Sequence, residues 1–594
     1  MMQEDGTMAA GEGKRAWMPF LWIVLASAVA HLWCLGSVLY LDDFPQIRDN
    51  ELLRNGRFWE NTFLSWTTAW QWLQFRLFGQ SPVGFHAVNW LLHTAVACVL
   101  FALGRDMVRG RWPEGVALFG ALLFAVHPLG SEIPNYVRTQ DIAWVTLFSL
   151  LAAWAALRYV RDGGWELVGG MDGEIPVFQR TDRWKKLLWC ALAVAGAMFS
   201  KGPGLFHAVM AVAMIVLAFF PWEIVKAWRR LGVLVLGAAV LVFVVGWATG
   251  MLEVGLRAME HWKEPRFTGH GYTVARVFWE FAWRGVVPVG LSADHLIAET
   301  LVPAGKGLWT VPDKIAQVAA LGMLALTGLG LWMACRERWK VPGVCLTLFV
   351  GTMLFRVLYL IPEFMPEYRI YPGLPWFCLG AAIVLSAIWR WIFAHVSPRV
   401  PALILLALLA ALSAKRAFLW HDLDKLMADV LKQYPAQARA IWELHKRDTD
   451  AGKWQAVIDR QENVFPEIKR KFIASLLKTN PVRELPTGHF SLAEVACAGR
   501  YALAVAHARS PDEGILLIDR LQAFMVGLGI DPATNPVHWE FFARDKALVL
   551  ETGGNYAAAL KALERQPDKK GKVPPPLWPR DYERIRKKLE AAQP

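Results

Sequence analysis

Long apolar runs separated by short charged loops dominate the first two thirds of the chain. Runs close to 20 residues occur at about 17–40, 84–104, 113–127, 141–160, 187–200, 203–220, 230–250, 313–334, 341–361, 372–393 and 400–417. Each approaches the length that an α-helix needs to cross the hydrocarbon core of a bilayer. The pattern predicts an all-α polytopic membrane protein with about eleven transmembrane helices. The pair around "MFSKGPGLFHAVM" is the shortest, parted only by Lys201, Gly202 and Pro203.

After residue 417 the long runs stop and the period becomes that of amphipathic helices of 10 to 15 residues, which marks 418–594 as a soluble helical domain. Two stretches there share one layout, "YPAQARAIWELHKRDTDAGKWQAVIDRQ" and "HWEFFARDKALVLETGGNYAAALKALERQP": a helix, a Gly turn and an Ala-rich helix. Paired helices stacked through small residues are the plan of tetratricopeptide (TPR) repeats, so this domain is expected to be TPR-like. Within 1–417, two loops are long: a first external loop at 41–83, and a segment at 251–312. In the latter, Arg276, Glu280 and Arg284 interrupt an aromatic face, as in a helix lying in the membrane interface.

Composition supports the membrane class. Of 594 residues 55% are hydrophobic and 19% charged, with 31 Trp, and the mean hydropathy is +0.30. The formal charge of +12 resides largely in short loops, and no zinc-finger, basic-zipper or RNA-binding signature accompanies it, so nucleic acid is not an expected partner. The basic loops are those with Arg105/Arg109/Arg111, Arg158 to Lys186, Lys226/Arg229/Arg230, Arg336/Arg338/Lys340 and Arg390/Arg399. With eleven spans they share a side with the N-terminus, which the positive-inside rule makes cytoplasmic. The other loops and the tail are then extracytoplasmic. Six of the seven cysteines lie in or beside apolar runs, so no disulfide framework is implied.

The same topology collects four polar clusters on the extracytoplasmic side: Asp42/Asp43; His127, Glu132, Arg138 and Asp141 in "HPLGSEIPNYVRTQD"; Asp294/His295; and Glu367, Arg369 and Tyr371 in "PEYRIY", with Lys201 at the same level. Singly, each has a plain explanation. An acidic pair caps and solvates a helix end, Pro128 ends a span, a Lys at a span end snorkels to headgroups, and Glu367/Arg369 makes an interfacial ion pair. Together they form a set with chemistry. Carboxylates at a water–membrane boundary accept a proton or bind a metal, while Arg and Lys neutralise a phosphate. Such a set suits transfer of a group from a lipid phosphate to an acceptor arriving from the aqueous side.

In order along the chain, "LYLDDFPQIRDN", "LFGQSPVGFHAVNWLLH", "FAVHPLGSEIPNYVRTQDI", "SKGPGLFH", "VPVGLSADH" and "EYRIYPGLPWF" resemble the transmembrane and tetratricopeptide-repeat O-mannosyltransferases and their bacterial homologues, integral-membrane glycosyltransferases of the GT-C fold. The resemblance implies a polyprenyl-phosphate-linked sugar donor and a hydroxyl acceptor, a Ser or Thr of a protein. It implies a place in a bacterial inner membrane with the active site and tail in the periplasm, and membrane lipids as surroundings. Carried onto this chain, it gives the base role to Asp42 or Asp43, with a slight preference for Asp43. Glu132 is a second acid or a metal ligand, and Arg138 and Arg369 bind phosphate. His127, Lys201, Asp294 and His295 shape the donor pocket, with Glu367 and Tyr371 in the matching loop. No cofactor is specified; a divalent metal, if used, would fall to Asp42, Asp43 and Glu132.

The chain departs from the family pattern in three places. It reads "SWTTAWQW" where an Arg-Pro pair is usual, Glu367-Tyr368-Arg369 for Glu-His-Arg, and Lys201-Gly202 for Lys-Glu. The sugar is therefore left open. The competing expectations are the same fold acting on a lipid or polysaccharide, and a transporter or non-catalytic scaffold carrying a repeat domain. Against a transporter, the polar groups gather at one interface instead of the bilayer midplane, and no repeated halves are evident.

Overall fold

The structure is a computed structural model and describes residues 17–57, 66–161, 165–168, 177–180, 184–219, 265–297, 314–358, 365–393, 395–435, 437–464, 492–527, 536–565 and 576–592. The expected run at 230–250 and parts of both long loops fall outside the described residues. The described chain is helical apart from one antiparallel hairpin, Trp165–Val168 with Val177–Arg180.

It forms two compact units. One holds the described residues up to Ala293 together with Ile297–Leu423; the other holds Asp294–Leu296 together with those from Asp424 onward. The longer helices of the first unit are α1 (Met18–His31), α2 (Trp66–Phe78), α3 (Pro82–Val108), α4 (Glu114–Val126), α5 (Gln140–Arg161), α6 (Trp184–Ser200), α7 (Gly204–Phe219), α8 (Pro265–Val286), α9 (Lys314–Ala334), α10 (Lys340–Leu354), α11 (Leu374–Ile392) and α12 (Arg399–Leu419).

Among the described residues, seven helical stretches are long and apolar enough to cross a membrane: Met18–Gly36, Pro82–Val108, Val137–Arg161, Lys314–Ala334, Lys340–Val357, Leu374–Ile392 and Arg399–Leu419. The run expected at 113–127 behaves differently. It ends at Val126, and the chain resumes as Pro128–Asn135 at an angle of 55°. Pro128 supplies no N–H and pushes the residue before it out of helical geometry; His127 accordingly has ψ 124°. The runs at 187–200 and 203–220 become α6 and α7, of 17 and 16 residues. They fold back tightly at Lys201–Pro203, where a Cβ on Gly204 would lie 1.9 Å from the Ala197 carbonyl oxygen.

The core of this unit is one continuous cluster from α3, α4, α5, α10 and α11. Outer faces stay apolar. On α9, Ile315, Val318, Leu321 and Leu324 are exposed at a spacing of three residues, and on α12 so are Val400, Leu403, Ile404 and Leu408. Apolar stripes of this extent do not face water in a soluble monomer; they belong against lipid.

The second unit contains α13 (Leu423–Gln433), α14 (Ala438–Asp450), α15 (Trp454–Asp459), α16 (Leu492–Ala508), α17 (Pro511–Gly527), α18 (Pro536–Thr552), α19 (Tyr556–Leu563) and α20 (Pro579–Ala592). Both helix–Gly–helix stretches read from the sequence are present. Gly452 at φ +70° joins α14 to α15, and Gly554 at φ +74° joins α18 to α19, a backbone region that Gly enters without Cβ strain. A third pair, α16 with α17, lies between them. Here Arg500 and Asp545 form a buried ion pair at 3.1 Å.

Candidate active site

The first loop is pinned before it reaches the acidic pair. Beyond α1, Ser37 Oγ donates to Asn135 Oδ1 at 2.8 Å and the Val38 N–H donates to the Trp420 carbonyl at 2.9 Å. The Tyr40 ring packs edge-on against Tyr136 and Trp420. Leu41 then takes a left-handed conformation, φ 38°, which costs a branched residue of order 1–3 kcal/mol and occurs where surrounding contacts enforce it. The reversal sends Asp43 back into the protein. One of its oxygens accepts the Tyr40 N–H at 3.0 Å and the other the Arg138 N–H at 2.7 Å.

The two aspartates therefore differ. Asp43 is fully buried, and burial pushes its carboxyl up to about 7, against the opposing pull of the Tyr40 and Arg138 N–H groups. Asp42 is exposed. Its charge is felt by both Arg138 and Tyr136, so it stands beside the same turn from the solvent side.

A buried amide network braces that turn. Asn89 on α3 donates to the Ile133 and Tyr136 carbonyls at 2.9 and 3.0 Å, and accepts from Gln140, which also exchanges bonds with Gln74 on α2. The turn presents Arg138, whose guanidinium meets Asp141 Oδ2 at 3.1 Å, one helical turn along. The same Asp141 oxygen receives Lys201 Nζ at 3.0 Å. Asp141 is buried, and its second oxygen has no hydrogen-bond partner among the described residues.

Lys201 also lies over the ring of Tyr368, 5.7 Å from the centroid, and the Arg369 guanidinium approaches the same ring at 5.9 Å. The Tyr368 N–H in turn donates to Glu132 Oε2 at 2.7 Å. Burial holds the Lys201 amine below its usual range, Asp141 opposes this, and the charges of Arg138 and Arg369 lower it further. Three cations thus crowd one place.

The structure brings together Asp42, Asp43, Glu132, Arg138, Lys201 and Arg369. It adds Asp141 as the carboxylate joining two of the cations and Tyr368 as the ring under the other pair. Asp141 carried a sequence signal, three residues after Arg138 on one helix face. The amides Gln74, Asn89 and Gln140 carried none, since they lie far apart in sequence on three helices.

Other expected site residues lie elsewhere. His127 is buried and spends both ring nitrogens on backbone: Nδ1 accepts the Leu129 N–H at 3.2 Å, which leaves Nε2 as the donor to the Gly285 carbonyl at 2.9 Å. Tyr371 points into the helical core, where its hydroxyl bonds His93 Nδ1 at 2.8 Å. Glu367 pairs with Arg416 at 2.6 Å instead of with Arg369, and accepts the Ser292 N–H at 2.8 Å; both charged groups are buried. Asp294 and His295 cluster with the second unit, Asp294 with Arg439 at 3.4 Å and His295 Nδ1 with the Tyr434 hydroxyl at 2.9 Å. Among the described residues no group of three or more His, Cys, Asp or Glu side chains is gathered as metal ligands would be.

Parts of the chain are similar to known protein O-mannosyl-transferases. It is 29% identical over 149 residues to F38B6.6 of Caenorhabditis elegans, covering 22% of this chain and 21% of the relative. It is 38% identical over 96 residues to TMTC1 of Homo sapiens, covering 16% and 10%, and 29% identical over 153 residues to Tmtc2 of Drosophila melanogaster, covering 22% and 16%. The matched stretch thus spans about a fifth or less of each relative's length. No family model matches the chain, and no solved structure does.

Proposed function

We propose that this chain is a membrane-embedded glycosyltransferase of the GT-C fold. It moves a monosaccharide from a polyprenyl-phosphate-linked donor to a Ser or Thr hydroxyl of a protein, at the periplasmic face of a bacterial inner membrane. The observation that carries the reading is an exposed carboxylate, Asp42, whose charge reaches Arg138, the first of three crowded cations with Lys201 and Arg369. Its likeness to relatives named protein O-mannosyl-transferases supports the same class of reaction.

The division of labour follows from burial. A base must touch the acceptor, so the exposed Asp42 takes the hydroxyl proton. The freed oxygen attacks the anomeric carbon and forms the new glycosidic bond. The bond from that carbon to the phosphate oxygen breaks, and the phosphate keeps the electron pair. Arg138, Lys201 and Arg369 neutralise the charge gathering on the phosphate, a contribution that grows as the bond breaks and so lowers the barrier. Attack opposite the leaving group inverts the anomeric centre. Asp43 is a positioning residue that ties the loop to the Arg138 backbone; this reverses the sequence preference between the two aspartates. Glu132 plays the same part for Tyr368.

Asp294, His295, His127, Glu367 and Tyr371 hold the surrounding structure and take no part in the transfer. The TPR-like tail gathers the acceptor protein. Mass spectrometry of envelope proteins and glycolipids from cells with and without this chain tests the reading. Loss of a sugar mass from a protein is expected, whereas loss confined to a lipid or polysaccharide, or no loss at all, overturns it.

A further inference from the structure

At the opposite end of the same helices lies a second basic feature. α3 and α4 run from the active-site side to the loop Arg109–Pro113, and α9 and α10 meet at the loop Cys335–Trp339. Between the two loops is an open cleft of about 810 Å³ lined by Arg109, Gly110, Arg111, Trp112, Glu337 and Arg338. Three guanidinium groups face one carboxylate. That carboxylate is already engaged, since Lys340 and Arg111 both bind Glu337 and hold it below the usual carboxylate range. Among the described residues, the remaining positive charge of Arg109 and Arg338 meets no second carboxylate in the cleft wall.

The surroundings identify the class of anion. Tryptophans accompany the lining: Trp112 lines the cleft and has Arg390 over its ring at 5.5 Å, Arg338 of the lining lies over Trp339 at 5.1 Å, and Arg336, beside Glu337 in sequence, lies over Trp332 at 5.4 Å. Trp332, Trp339 and Trp391 are exposed, Trp391 at 85%. Exposed indoles at the ends of apolar spans mark the headgroup level of a bilayer. A site for a free phosphate would have no use for them. A lipid needs both parts, cations for the headgroup and an apolar flank for the chains.

We propose that this cleft binds the phosphodiester of an anionic glycerophospholipid, with its acyl chains along the exposed ends of α9 and α11. The Arg111–Glu337 pair joins the two loops, so a phosphate bridging Arg109 and Arg338 fastens the same pair of loops from the other side.

The test uses the purified full-length chain in detergent with equal amounts of phosphatidylglycerol and phosphatidylcholine, read by native mass spectrometry. A retained phosphatidylglycerol preference of at least about fivefold is expected, the scale set by one surface cation against an anionic lipid. The combined variant Arg109→Gln, Arg111→Gln, Arg338→Gln is expected to bring the ratio to about one, and the three Arg→Lys changes to preserve it. If the combined variant fails to fold, Arg338→Gln alone is expected to lower the preference at least about twofold. Equal retention of the two lipids by the wild type, or an unchanged preference in the folded Gln variants, overturns the proposal. So does displacement of phosphatidylglycerol by millimolar inorganic phosphate, which would mark the cleft as a site for free phosphate.

Discussion

Replacing Asp43 by Asn tests the buried carboxylate apart from catalysis. The wild-type carboxyl titrates near 7 in the fold and near 3.8 when exposed. Between those values the folded protein holds a proton that the unfolded chain has released. The site's contribution is therefore fully present below about pH 4 and is lost as pH rises through 7. From pH 5.5 to 8.5 the proton is lost near 7, so about 1.5 pH units at 1.36 kcal/mol each remove about 2 kcal/mol. Asn has the shape of the acid and does not titrate; its oxygen accepts one of the Tyr40 and Arg138 N–H groups while its NH2 faces the other, a cost that does not vary with pH. Its stability relative to the wild type should therefore rise by about 2 kcal/mol between pH 5.5 and pH 8.5, whatever the constant offset. Unfolding in detergent, followed by the fluorescence of the 31 tryptophans, measures this as a difference between the two proteins, which cancels other titrating groups. Parallel pH profiles, with a constant offset from 5.5 to 8.5, would refute the argument that burial dominates at this carboxyl.

Three further outcomes are expected. Arg138→Gln keeps the backbone bond to Asp43 but loses a charged phosphate contact of about 1.5–3 kcal/mol, so the donor concentration for half-maximal transfer should rise about 10- to 100-fold, with Arg138→Lys recovering part of it. Glu367→Gln strands the buried Arg416 guanidinium and should cost about 3–5 kcal/mol in thermal unfolding, while the double variant Glu367→Gln, Arg416→Met, which keeps an acceptor for the Ser292 N–H, should recover most of the loss. Gly204→Ala forces a Cβ against the Ala197 carbonyl, so the Lys201 hairpin must open and transfer should fall with little change in the spectrum of the folded protein.

Hydropathy made most spans legible because a bilayer imposes one length on any helix that crosses it. It could not show that the run at 113–127 bends through 55° into the turn carrying Glu132, since the bend follows from a single residue, Pro128. The acidic pair was legible as chemistry but not as two different groups. What separates Asp42 from Asp43 is the left-handed Leu41 and a backbone N–H from Arg138, 95 positions away. Spacing along the chain likewise suggested a Glu367–Arg369 pair, whereas the partner is Arg416, from a helix with no motif to mark it. Asp294 and His295 looked like part of the same polar face, yet they cluster with Arg439 and Tyr434 of the second unit. Local pattern identifies which groups are able to react; only tertiary contacts decide which are spent on holding the fold.

The base assignment to Asp42 carries the account, and one comparison tests it. Cells lacking this chain are supplied with wild type or Asp42→Asn at equal membrane abundance, and the sugar on the acceptor protein is quantified by mass spectrometry. Loss of the proton acceptor should lower transfer by at least about 100-fold. Wild-type levels of the modification in Asp42→Asn would contradict the mechanism.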